Sequence, residues 1–271
     1  MRRILILFLS VVFAAGCVTP AAITEKGLLL KMDANPKEVF GNGITTISVD
    51  VENQDVKKVR DVNVDIFETG SFYKIGTCRK DDFGNLEPKD FKTFACNLKA
   101  KKVERTIDNT VWALAKYKST LSAVQTFEII SQSEFETRKK SGRPVEAQKT
   151  FSFRDNNLEL ILELSESPVI DKVGEKFISF KLKNIGSGFI EKLDRNDIQI
   201  ITGLITNCPD SDIYIIGKEF PRFSCVLNLP GNVPSFLPVQ ISININYDYE
   251  IRNSVDVRIL KGEVAEAPAA R

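Results

Sequence analysis

The sequence predicts an all-β protein made of two tandem antiparallel β-sandwiches joined by a short helix-containing connector. Three observations predict it. Apolar and polar residues alternate over strand-length runs, turn residues such as Gly41-Asn42-Gly43 and Pro230-Gly231-Asn232 separate those runs, and one succession of landmarks occurs twice. The chain divides into residues 1–16, an export signal; 17–24, a tether; 25–132, a first sandwich; 133–149, a helix and linker; 150–260, a second sandwich; and 261–271, a disordered tail.

Arg2 and Arg3 precede an apolar run over residues 4–18 broken only by Ser10 and Gly16, the charged and apolar regions of an export signal. A spanning helix needs about 20 apolar residues, so the run is too short for a permanent anchor. Ala14-Ala15-Gly16-Cys17 resembles the lipobox of prokaryotic lipoproteins, which implies cleavage before Cys17 and a lipid on its sulfur. The same residues also fit an ordinary cleaved signal or an uncleaved N-terminal anchor. A tether over residues 18–24 spans at most ~25 Å, which sets the first sandwich near the membrane and the second beyond it.

In the first sandwich Ile47, Val49 and Val51 alternate with Ser48, Asp50 and Glu52; in the second, Ile178, Phe180 and Leu182 alternate with Ser179, Lys181 and Lys183. Period two over seven residues is a strand with one buried and one wet face. The strands end in Asn53 and Asn184, and a glycine, Gly43 or Gly174, stands four residues ahead of each isoleucine. Val62, Val64 and Ile66, and Ile241, Ile243, Ile245 and Tyr247, repeat the alternation, with Tyr247 and Tyr249 read as core residues. About 110 to 120 residues per copy suits a seven-stranded immunoglobulin-like domain. Between the copies, Ser133-Glu134-Phe135-Glu136 reads as a capping box, Arg138-Lys139-Lys140 as a cationic last turn and Gly142 as a stop, giving two turns of helix that dock Phe135.

Five cysteines occur. With Cys17 set aside, Cys78, Cys96, Cys208 and Cys225 form an even set, which in an exported chain reads as disulfides. Three connectivities are open to four cysteines, and the repeat selects Cys78 with Cys96 and Cys208 with Cys225. Each bridge joins a loop or neighbouring strand to a strand. KDFKTFACNL at 89–98 and KEFPRFSCVL at 218–227 then occupy one position in a duplicated fold, with Phe91, Phe94, Phe220 and Phe223 packing beside the cysteine strand.

The order of signal, lipobox-like cysteine, alternating strand ending in Asn, paired cysteines and late aromatic strand resembles the tandem immunoglobulin-like domains of archaeal and bacterial cell-surface proteins, CARDB-type and S-layer-associated adhesion modules among them. Ile185-Gly186-Ser187-Gly188 after Asn184 is similar to the N-x-G turn of such domains, whereas the first copy has Gln54-Asp55. The resemblance implies a structural or interaction role outside the membrane and supplies no catalytic residues.

The chain contains no His, which removes Ser-His-Asp and Cys-His catalysis and His-based metal sites. It has no Walker loop, dinucleotide fingerprint or EF-hand loop. Asp81-Asp82, Asp210 with Asp212, and Asp248 with Glu250 read as solvated carboxylates and not as a catalytic pair. No cofactor is expected. The only metal candidates are loop carboxylates for calcium, namely Asp194 and Asp197 around Asn196, and Asp210 with Asp212. Without the two Arg of residues 1–16 the 37 Lys and Arg fall to 35 against 36 Asp and Glu, so no net field gathers nucleic acid. The expectation is a non-catalytic, lipid-anchored protein at the outer face of the cytoplasmic membrane or the cell surface. Its partners are the membrane, envelope proteins or surface glycans, met at distal loops such as residues 228–237. The alternative is a solute-binding or accessory subunit of a transporter or surface enzyme, which would need a concave pocket between the sandwiches.

Overall fold

Ile47, Val49 and Val51 are fully buried, while Ser48, Asp50 and Glu52 are half-buried on the opposite face of the same strand. This is the period-two division the alternation demands. The computed structural model describes residues 27–76, 78, 81–172 and 174–263. The expected signal, Cys17 and the expected tether lie outside them, as do residues 264–271 of the expected tail. Residues 261–263 are strand, because the chain end pairs with a segment near its start.

The first half comprises β1 (Leu28–Asn35), β2 (Glu38–Gly41), β3 (Ile44–Asn53), β4 (Val59–Glu68), β5 (Phe72–Ile75), β6 (Asp81–Leu86), β7 (Phe91–Ala100) and β8 (Ile107–Ser131). Helix α1 (Gln132–Lys140) follows. The second half comprises β9 (Thr150–Arg154), β10 (Leu158–Leu164), β11 (Val169–Asp171), β12 (Phe177–Asn184), β13 (Lys192–Leu193), a 3-10 turn (Arg195–Asp197), β14 (Ile198–Ile201), β15 (Ile213–Tyr214), β16 (Phe223–Val226) and β17 (Phe236–Glu263).

Two four-stranded sheets, ordered β1-β3-β7-β5 and β16-β12-β10-β9, belong to one half each. The third sheet, β14-β17-β8-β4-β6, belongs to both. Its spine is β8 and β17, of 25 and 28 residues, paired antiparallel in unbroken register from Ile107 opposite Ile259 to Ile130 opposite Phe236. The inner face of β8 runs Val111, Ala113, Ala115, Tyr117, then Leu121, Ala123, and finally Phe127 and Ile129, all buried. Ile241, Ile243, Ile245, Tyr247, Tyr249, Ile251, Val257 and Ile259 do the same on β17. One ribbon therefore serves both cores. The start of β8 and the end of β17 back the first half; the end of β8 and the start of β17 back the second.

The two short parallel strands follow the same exchange. β2 pairs with Arg258–Leu260 of β17, and β11 pairs with Ile129–Ser131 of β8, so each half adds a short strand to the long strand of the other. Asn253 closes one side of the first half by donating its side-chain amide to Leu30 O at 2.8 Å.

Both disulfides form within a half. Cys78 joins Cys96 with Cα atoms 4.9 Å apart, and Cys208 joins Cys225 at 5.8 Å. Cys96 stands opposite Ile47 and Cys225 opposite Ile178, so equivalent strand positions are stapled to a neighbouring connection. Phe94, Phe220 and the half-buried Phe223 pack as expected, Phe223 stacking on Phe180 at 5.0 Å between centroids. Phe91 differs, being 59% exposed. In β7 the inward residues are Phe94, Cys96 and Leu98, and Phe91 has the opposite parity, so the pleat turns it to solvent.

The helix starts two residues earlier than the capping box at Ser133 predicts. Ser131 is the N-cap and accepts from Glu134 N–H at 3.2 Å. At the other end Gly142 has φ of 66°, and the bonds from Gly142 N–H to Lys139 O and from Arg143 N–H to Arg138 O are those of a glycine-terminated helix. Phe135 is half-buried, and Arg138 holds Glu134 at 2.9 Å and Glu128 of β8 at 3.3 Å.

Candidate functional site

The site lies at the waist, where the two halves meet over the middle of the ribbon. Its frame comes from two buried asparagines that end equivalent strands. Asn53 accepts from Asp55 N–H at 2.9 Å and donates to Lys57 O and Leu86 O. Asn184 accepts from Gly186 N–H at 3.1 Å and donates to Gly188 O at 2.8 Å. Both form the Asx turn in which a side chain holds the backbone two residues on. Gln54-Asp55 thus reproduces with one N–H what Ile185-Gly186 does in the second half. Glycine is required at 186 and 188 by proximity: a Cβ on Gly186 would collide with the Tyr249 hydroxyl, and one on Gly188 with Glu250 O. The bare backbone instead lets Gly188 N–H donate to the Tyr249 oxygen at 2.7 Å.

Three tyrosines of the ribbon converge here. The rings of Tyr117 and Tyr249 are 5.5 Å apart, and Tyr247 meets Tyr249 edge-on at 6.3 Å. The turn Asp155-Asn156-Asn157 between β9 and β10 supplies their polar partners. Tyr247 donates to Asp155 Oδ2 at 2.6 Å, and the other Asp155 oxygen accepts from the N–H groups of Asn157 and Leu158. The Asn157 amide donates to the hydroxyls of Tyr117 and Tyr247. Asn156 reaches across the waist to Asp55 at 2.7 Å. Burial pushes the Tyr117 hydroxyl well above the ordinary tyrosine range; burial and then the Asp155 charge do the same to Tyr247. Burial also raises Tyr249. All three stay protonated near neutrality and serve as fixed donors and acceptors.

Two adjoining clefts of about 770 and 940 Å³ open around this network and share Asp61, Lys118, Asn246 and Asp248 on their walls. In the larger one Arg252 lies between the rings of Phe67 and Phe189, its guanidinium carbon 5.4 and 4.8 Å from their centroids. Glu250 holds Arg252 at 2.6 Å and Lys116 at 3.0 Å. Burial alone would raise the Glu250 carboxyl, but the hydrogen bonds from Lys116 and Arg252 outweigh it and hold the group below its ordinary value. Such walls suit a ligand that combines charged or hydroxyl groups with some apolar surface.

The sequence-predicted residues are scattered relative to this site. Cys17 lies outside the described residues, and the four bridged cysteines sit away from the cleft walls. Of the calcium candidates, Asp194 and Asp197 reach the clefts, Asp194 paired with Lys192. Asp212 accepts from Arg195 N–H at 2.9 Å, and Asp210 accepts from Ser211. Asp194 and Asp212 are thus already engaged by Lys192 and the Arg195 backbone. Among the described residues no group of three or more Asp, Glu, His or Cys is placed to hold a metal ion, and no helix is long and apolar enough to cross a membrane. Sequence reasoning passed over Asp155, Asn157, Tyr117, Phe189 and Arg252; the one readable signal was Asp155-Asn156-Asn157, three turn-formers between two strands. No protein-family model matches the chain, and no curated protein is similar to it.

Proposed function

We propose that the protein is a non-catalytic lipoprotein of the cell envelope, exported and held by a lipid on Cys17, with a structural role or a binding role toward other envelope proteins or surface glycans. We read its halves as two immunoglobulin-like copies of one unit, similar to the tandem modules of prokaryotic surface proteins. The observation that carries this reading is the cysteine set: two disulfides, one within each half, belong to an oxidising compartment and leave Cys17 as the odd cysteine behind an export-like segment. Metabolic labelling with a fatty acid tests it. The wild-type chain takes up label and fractionates with membranes, and Cys17→Ser loses both; equal labelling of the two would overturn the reading.

The waist clefts favour a second reading, a solute-binding or accessory subunit. Under it, Arg252→Ala weakens capture of a small polar solute in a thermal-shift screen while leaving the unliganded melting temperature nearly unchanged. A screen in which no solute shifts the wild-type melting temperature would remove it.

A further inference from the structure

The described chain begins at the waist and not at an end. Gly27 lines the smaller cleft, its carbonyl accepts from Gln54 N–H at 3.2 Å, and its α-carbon position faces the Tyr117 hydroxyl and Asn157. From there β1 runs outward along the first half and β10 runs outward along the second, each starting at the waist. The ribbon gives the scale. Its ladder from Ile107 to Ile130 is about 78 Å long, with Tyr117 about 34 Å from one end and about 44 Å from the other. The chain from Cys17 to Gly27 covers ten residue steps, at most about 36 Å fully drawn out.

Those lengths decide how an anchored molecule sits. Standing on the second half would place Gly27 at least about 44 Å above the lipid, out of reach of the tether. Standing on the first half would leave the tether no slack even before counting the loops that extend past the ribbon end, and a fully stretched chain gives up its conformational entropy. Lying along the membrane needs only a short, relaxed tether. Resting on the Cys17 reading above, we propose that the waist face where Gly27 emerges, with the 54–58 loop and the 155–157 turn beside it, is a membrane-facing surface. The long axis then lies parallel to the bilayer, and both ends of the ribbon are held at similar height. This replaces the stacked order of a membrane-proximal first half and a distal second half.

The test uses the full lipid-bearing chain in vesicles of phosphatidylethanolamine and phosphatidylglycerol containing a fluorescent acceptor lipid. Donor dyes go on the exposed ends through Glu104→Cys in the first half or Lys140→Cys in the second. The two donors are expected to transfer with efficiencies within about 1.5-fold, since an upright ribbon would separate their heights by some 75 Å and silence one of them. Inserting about twenty Gly and Ser residues before Gly27 frees the molecule and lowers transfer from both. Strong transfer from one end alone, or no response to the spacer, overturns the orientation while leaving the anchor intact. A wild-type chain that carries no lipid and does not hold to the vesicles overturns the anchor and the orientation together.

Discussion

Tyr247 shows how much of the waist depends on single polar atoms. Its hydroxyl donates to a carboxylate that also receives two backbone N–H groups, so Tyr247→Phe removes a hydrogen bond to a charged group. The expected cost is about 1.5–3 kcal/mol, read as a lower urea midpoint with unchanged slope. Glu166 makes a second prediction. Burial would raise its carboxyl, but Lys176 at 2.8 Å, Ile170 N–H and Lys172 outweigh burial and hold it below its ordinary value of 4.5. A depressed folded value means that stability is present above the unfolded value and is lost as pH falls through the folded one. Wild-type stability therefore drops on acidification below about pH 4.5. Lys176→Met, which removes the main partner, shows a shallower loss over that window in denaturation at several pH values.

At the scale of elements, each disulfide closes a loop of 18 or 17 residues, and its loss through Cys96→Ser or Cys225→Ser costs about 3 kcal/mol in non-reducing denaturation. Ala115 is fully buried mid-ribbon with ladder partners on both sides, Val64 and Ile251. Ala115→Pro removes an N–H from a central strand and costs about 3 kcal/mol or more, with thermal melting followed by circular dichroism as the check. Strands with strong apolar alternation, such as β3 and β12, were legible in the sequence, and so were the cysteine pairs and the helix. The ribbon was not. Its inner face passes through Ala113, Ala115, Ser119, Ala123 and Gln125, residues that break the apolar signal without breaking the strand, and nothing local tells β17 that its partner is β8. The polar cleft was illegible for a related reason: Asp155 and Asn157 acquire their roles only once turn and ribbon are brought together from 40 to 92 residues apart in the chain, and Arg252 only once Phe67 and Phe189 are brought to it.

For the whole molecule, the shared ribbon predicts that the halves do not unfold separately. Calorimetry of the disulfide-bonded chain is expected to show one transition, with calorimetric and van't Hoff enthalpies equal; two resolved transitions would mean that the ribbon does not couple the cores. Deleting residues 247–271 removes the strand that backs the first half, and hydrogen exchange in β3 and β4 should then lose its protection although neither strand is touched. The same sharing sets a timetable. The stretch that completes the first half is made long after the rest of that half, so about 130 residues must appear after Ser131 before that half can close. Until then it presents a sandwich lacking a wall, with open strand edges that invite mispairing. A chain built this way cannot close its first half before most of its second half has been made.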